Sequence, residues 1–167
     1  MAKFLTLNTH SWMEEEQETK LNELAERILQ EKYDVICLQE VNQLTESEQV
    51  VQAPFYQAVE GAIAIHQDHF ALCLVEKLAE AGLDYHWSWA YNHIGFDIYN
   101  EGVAILSRNP MAPREVLVSE VNDPRDYHTR KVLLAETEVE GQLLTIASCH
   151  LSWWDKGFQG EWAKLEA

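Results

Sequence analysis

Apolar residues follow two periods along this chain. In residues 14–30, Leu21, Leu24, Ala25, Ile28 and Leu29 recur at three- and four-residue spacing, which predicts a helix with one apolar face. The run Glu14-Glu15-Glu16 stands at its start, where the helix dipole favours negative charge. Residues 3–9 and 33–41 flank it as short apolar runs and read as strands, the first with Phe4, Leu5 and Leu7 inward. Strand, helix, strand predicts a crossover onto a buried sheet. Asp68 reads as the N-cap of a helix over 69–81 that Gly82 ends. Residues 43–66 read mostly as loop. Strands are expected at 85–90, 102–107, 115–118, 131–138 and 143–149. Asn109-Pro110 closes the second of these, and Glu140-Gly141 is the hairpin turn before the last. There is no repeat and no linker. The pattern predicts an α/β chain with a mixed sheet in one domain.

Composition narrows the function classes. At 167 residues and 47% hydrophobic, the chain can bury a core. Its net charge of -16, from 28 acidic and 12 basic residues, argues against tight nonspecific binding to a nucleic-acid backbone. It leaves a phosphate substrate open, because a bound metal reverses the local field. Cys37, Cys73 and Cys149 form no C-x-x-C pair and no disulfide framework; those in apolar runs read as small core residues. The N-terminus turns polar too early for a signal peptide, and no apolar run has the length of a membrane span. The expectation is a reduced, cytoplasmic protein.

Several predicted strands end in a residue able to do chemistry. Val35-Ile36-Cys37-Leu38 leads to Gln39-Glu40, and Leu5-Thr6-Leu7 leads to Asn8. Glu101 precedes Gly102-Val103-Ala104-Ile105-Leu106, and His150 follows Ile146-Ala147-Ser148-Cys149. Strand ends along one sheet edge are where α/β folds build sites. Each residue also has an ordinary reading: a turn cap for Asn8, a rim ion pair for Glu40, an exposed turn for Glu101, a core histidine for His150. Together they form a constellation of oxygen ligands and proton carriers, and a carboxylate such as Glu40 suits magnesium. His66 and His69 flank Asp68 like a metal pair, but no further ligands follow at zinc spacing. Trp153, Trp154, Phe158 and Trp162 read as core or a buried interface, with a substrate-facing wall beside His150 as the alternative.

Four segments, Leu7-Asn8-Thr9-His10, Leu38-Gln39-Glu40-Val41, residues 100–107 and Ser148-Cys149-His150-Leu151, occur in this order. In them the chain resembles the endonuclease/exonuclease/phosphatase superfamily over nearly its whole length. The resemblance implies a four-layer αββα sandwich of two mixed sheets with outer helices. It also implies hydrolysis of phosphate esters with a divalent ion, Mg2+ or else Mn2+. It implies Glu40 as a metal ligand, Asn8 near metal and phosphate, and His150 as a phosphate contact. Glu101 would pair with His150, and Arg130 would line the site, although beside Lys131 it also reads as an exposed edge.

The superfamily's Gly-Asp-x-Asn and Ser-Asp-His-like motifs do not occur in this chain. The resemblance therefore implies one domain over 1–167, truncated at its C-terminus and inactive alone. Its open face and sheet edge would favour self-association. Two functions follow: a magnesium-dependent phosphodiesterase or phosphatase, or a noncatalytic phosphate-ester binding module. The wording of residues 100–107 and 148–154 is closer to the bacterial sphingomyelinase-like branch than to the DNA-repair branch. The acidity favours a small or lipid-derived ester over duplex DNA.

Overall fold

A computed structural model describes residues Met1–Ala167. Strand β1 (Phe4–Asn8) runs parallel to β2 (Val35–Leu44), and helix α1 (Gln17–Glu31) makes the crossover. After helix α2 (Phe70–Glu80), β3 (His86–Gly95) and β4 (Tyr99–Ser107) complete a mixed sheet of order β1-β2-β4-β3. Strands β5 (Met111–Leu117), β6 (Lys131–Val139) and β7 (Gln142–Ser148) form a second sheet, antiparallel throughout. A turn at Trp154–Phe158 leads into α3 (Gln159–Glu166).

Three apolar layers hold four structural layers together. Leu21, Ala25 and Ile28 of α1, with Phe70, Leu74 and Leu78 of α2, pack on Ile36, Leu38, Trp87 and Trp89. Between the sheets lie Val35, Val103, Ile105, Leu133 and Ala135. On the far face, Leu165 of α3 packs near Val118, Val132 and Leu134. The chain is thus an αββα sandwich whose second outer layer is the single helix α3.

The strands run longer than the apolar runs predict, because the ladders continue through polar residues such as Asn42, Gln43 and Asn100. Helix α1 starts later than predicted, since Glu16 adopts a left-handed φ of 54° after a short turn at Ser11–Met13. Phe4 is half-exposed, at 51%, and Leu7 is exposed as well: β1 is an edge strand, and Phe4 and Leu5 point to opposite faces. The cysteines are half-buried rather than core residues, and burial pushes the Cys37 thiol up to about 12. Glu140 and Gly141 both have positive φ and connect Val139 to Gln142, the two-residue hairpin the sequence predicts.

Asp68 does not cap α2. Its carboxylate accepts the Leu44 amide at 2.8 Å and the Ser47 hydroxyl, pinning the loop after β2, and His69 takes the N-cap position without a side-chain bond. The two histidines beside it are structural. His66 Nδ1 lies 2.9 Å from the Leu44 carbonyl. The His69 ring is fully buried against Trp87 and Trp89, with neither nitrogen partnered.

Burial, with a small contribution from His66, pushes the His69 imidazole down to about 3. A depressed histidine contributes stability above its unfolded value of about 6.5, and this is lost as pH falls toward the folded value. His69→Phe keeps the ring and removes the buried nitrogens. It should flatten the acid loss of urea stability between pH 6.5 and 4 and stabilise the protein at neutral pH by about 1–3 kcal/mol. An unchanged acid slope would show that His69 is not held neutral.

Candidate active site

The expected strand-end residues converge. Asn8, Glu40, Glu101, Arg130 and His150 line one cleft of about 680 Å³, with His93, Asp97, Arg125, Tyr127 and Trp153.

Glu40 is placed by a distortion of its strand. Leu38 pairs with Ala104 and Val41 with Gly102, so Gln39 and Glu40 together oppose Val103 alone. This is a β-bulge, and bulges re-aim side chains beside active sites. Glu40 takes a φ of 54°, which costs a non-glycine residue about 1–3 kcal/mol. Neighbouring bonds hold it there. Thr9 donates its amide (3.0 Å) and hydroxyl (3.0 Å) to the Gln39 carbonyl, and Ser11 donates its hydroxyl to the Glu40 carbonyl at 2.6 Å.

The Glu40 carboxylate is bonded on one side. Asn8 Nδ2 donates to Oε1 at 2.8 Å, and His150 Nε2 faces the same oxygen at 3.7 Å. No hydrogen bond reaches Oε2. The Asn8 oxygen accepts the His10 amide at 3.1 Å, so Asn8 meets Glu40 with its nitrogen. One free carboxylate oxygen beside an open cleft fits a hard divalent cation, which needs few protein oxygens and completes its shell with water and phosphate. No three His, Cys, Asp or Glu side chains converge as a closed metal cage.

Glu101 pairs differently from expectation. Its Oε1 lies 3.5 Å from His93 Nε2, whereas the nearest carboxylate to His150 is Glu40. His93 Nδ1 in turn lies 3.4 Å from the Thr129 carbonyl, next to Arg130. A second bulge, with Asn92 as the extra residue of β3, brings His93 opposite Glu101. His93 lies past the strand end predicted at Ala90, in a run that continues through Tyr91-Asn92-His93-Ile94.

Arg130 is a half-buried cation of the cleft. Its amide donates to the Ser119 hydroxyl at 2.8 Å, and its Nε is buried without a partner. Burial lowers its pKa, and Glu161, Glu101 and Glu40 oppose that effect. Burial, then Arg130, also holds His150 below the ordinary histidine value, while Glu40 and Glu101 pull the other way. The aromatic tail is not core: Trp153 and Trp154 are 69% and 70% exposed. Trp154, Phe158 and Trp162 stack on one another, with centroids 5.4 and 6.2 Å apart, and Trp153 forms part of the cleft wall.

A cleft combining carboxylates, two arginines and two histidines suits a phosphate ester, and comparison with known proteins agrees in family. The profile of the Endonuclease/Exonuclease/phosphatase family matches residues 12–166. The chain belongs to the endonuclease/exonuclease/phosphatase family. This family includes hydrolases acting on phosphate esters. An endonuclease/exonuclease/phosphatase family protein from Leptotrichia buccalis C-1013-b is 30% identical, with a TM-score of 0.86 over 99% of this chain. The chain spans 61% of that protein's length. An endonuclease/exonuclease/phosphatase from Beutenbergia cavernae DSM 12333 shares the fold at 17% identity, with a TM-score of 0.58 over 98% of this chain and 40% of that one. D. rerio TDP2, solved with a single-strand DNA product, shares it at 15% identity, with a TM-score of 0.56 over 99% of this chain and 52% of that one. No curated protein matches the chain. No helix is long and apolar enough to cross a membrane.

Proposed function

We propose that this chain carries the metal- and phosphate-binding side of a divalent-metal-dependent phosphoric ester hydrolase. The supporting observation is the meeting of Asn8, Glu40, Glu101, Arg130 and His150 in one cleft, with Glu40 held in a strained bulge. Glu40, through its free oxygen, would hold magnesium or manganese, which supplies Lewis acidity at a phosphoryl oxygen. Asn8 fixes the Glu40 carboxylate. Arg130 offers a fork of donors to the phosphate, and His150 offers Nε2 to a second oxygen. Such donors stabilise charge that builds on the equatorial oxygens during transfer. Glu101 and His93 brace the wall next to Arg130.

The substrate we favour is a small or lipid-derived phosphoester, supported by the charge of -16, which disfavours the backbone of duplex DNA. The setting we favour is reducing and cytoplasmic, in keeping with three free cysteines. Because the chain spans 61% of the Leptotrichia protein, the activity proposed is that of the whole gene product. The second reading is a phosphate-ester binding module without turnover, for which the cleft donors Arg130 and His150 suffice.

The test is hydrolysis of an aryl phosphomonoester, an aryl phosphodiester and a DNA duplex by the protein expressed from its full reading frame, with magnesium. Turnover of at least one aryl ester, with slower cleavage of the duplex, is expected. Phosphate binding without turnover would favour the second reading, and preferential duplex cleavage would overturn the substrate assignment.

A further inference from the structure

Glu161 is an acid that the cleft residues do not account for. It lies in the first turn of α3, yet it is only 5% exposed and makes no ion pair within salt-bridge distance. Both its oxygens are engaged by one residue. Oε2 accepts the Ser152 amide at 2.7 Å, and Oε1 accepts the Ser152 hydroxyl at 2.6 Å. Ser152 is itself buried and stands between two cleft residues, Leu151 and Trp153, two positions after His150. Gly157 lets the turn close over this pair: at a φ of 135°, its missing Cβ would lie 3.5 Å from Glu161 Oε1. Among the carboxylates that hold the Arg130 charge against burial, Glu161 acts most strongly.

A buried carboxylate is costly unless its bonds repay desolvation. Here both bonds go to the turn carrying His150. We propose that Glu161 is a positioning residue of the phosphate site, tying α3 to the turn that presents His150 and Trp153. The inference rests on the phosphate-ester reading of the cleft. Glu161 touches neither substrate nor metal in this role. It acts through Ser152, which fixes the path of the chain from His150 to Trp153.

Two substitutions and a conservative control test the tie. Glu161→Ala removes both acceptors, whereas Glu161→Gln keeps an oxygen for the Ser152 amide and turns its NH2 toward the Ser152 hydroxyl, which can accept. Ser152→Ala removes one bond and keeps the charge. The readouts are the exchange rate of the Ser152 amide proton, the affinity for inorganic phosphate by calorimetry, and kcat and KM on an aryl phosphate. The parent should show a protected Ser152 amide. Glu161→Ala should weaken phosphate binding and kcat/KM by about 10- to 100-fold, the usual effect of losing a group that orients a site residue. Glu161→Gln should recover most of that loss, and Ser152→Ala, which keeps the amide bond, should lose less than Glu161→Ala.

A fast-exchanging Ser152 amide in the parent overturns the inference whatever the cleft binds. Phosphate affinity and kcat/KM within twofold of the parent in Glu161→Ala also overturn it, and leave the phosphate-ester reading standing. A parent that neither binds phosphate nor turns over an ester overturns both. Losses that vanish when the assay is cooled below the variant's thermal midpoint would assign Glu161 to stability alone, which also overturns it.

Discussion

Glu40→Gln is expected to lower kcat/KM on a phosphate ester by at least about 100-fold while the protein stays folded, a loss of the size seen when a principal charge-stabilising group is removed. Gln keeps the volume and the Asn8 contact but withdraws the charge that faces the cleft through Oε2. The backbone under Glu40 adds an independent expectation. At a φ of 54° any side chain is strained, and glycine is not. Glu40→Gly should therefore be more stable than Glu40→Ala by about 1 kcal/mol, although both are inactive. Urea denaturation of the two variants reads this directly. Activity near the parent's in Glu40→Gln would remove Glu40 from the site. A glycine variant less stable than the alanine one would mean that the bulge is not as described.

Gly102→Ala should be the most damaging small substitution in the fold. A Cβ at Gly102 would lie 2.1 Å from the Ala90 carbonyl oxygen and 2.8 Å from Trp89 Nε1. The first of these is backbone and cannot swing aside, so β3 and β4 must separate where they carry His93 and Glu101. Overpacking of this kind costs about 3 kcal/mol, at the upper end of the usual range. The shift would also displace Glu101, so activity should fall with stability. Gly160→Ala is the control: nothing lies within 4 Å of its missing Cβ, and α3 should gain about 0.5–1 kcal/mol. Equal stability of Gly102→Ala and the parent by denaturant unfolding would contradict the close approach of the two strands.

The residues that were legible in the sequence are those that punctuate apolar runs. Asn8, Glu40, Glu101 and His150 each sit where a strand-like run begins or ends, and strand ends share one rim of the sandwich. The crossover through α1 and the Glu140-Gly141 turn were legible for the same reason, since period and turn chemistry are local. What depends on neighbours distant in sequence was hidden. His93 reaches Glu101 only because Asn92 bulges out of β3, and nothing in Tyr91-Asn92-His93-Ile94 marks a bulge. The left-handed turn at Glu40 carries no glycine to announce it. Asp68 has the composition of a cap, yet its carboxylate is claimed by Leu44 and Ser47 from another segment. Size and apolarity favour core or a buried interface for the tryptophans, but Trp153 lines the cleft, the alternative position, and Trp154 stacks on Phe158 of its own turn and stays exposed. Glu161 looks like any acid in the first turn of a helix until Ser152 is seen folded onto it.

The most direct measurement is the initial rate of aryl phosphate hydrolysis as magnesium is titrated, for the parent and Glu40→Gln side by side, with the protein made from its full reading frame. A metal-dependent site built on Glu40 predicts a saturable rise with magnesium in the parent, abolition by chelator, and a flat or strongly weakened response in Glu40→Gln. Hydrolysis that persists in chelator, or a magnesium response unchanged by the substitution, would contradict it.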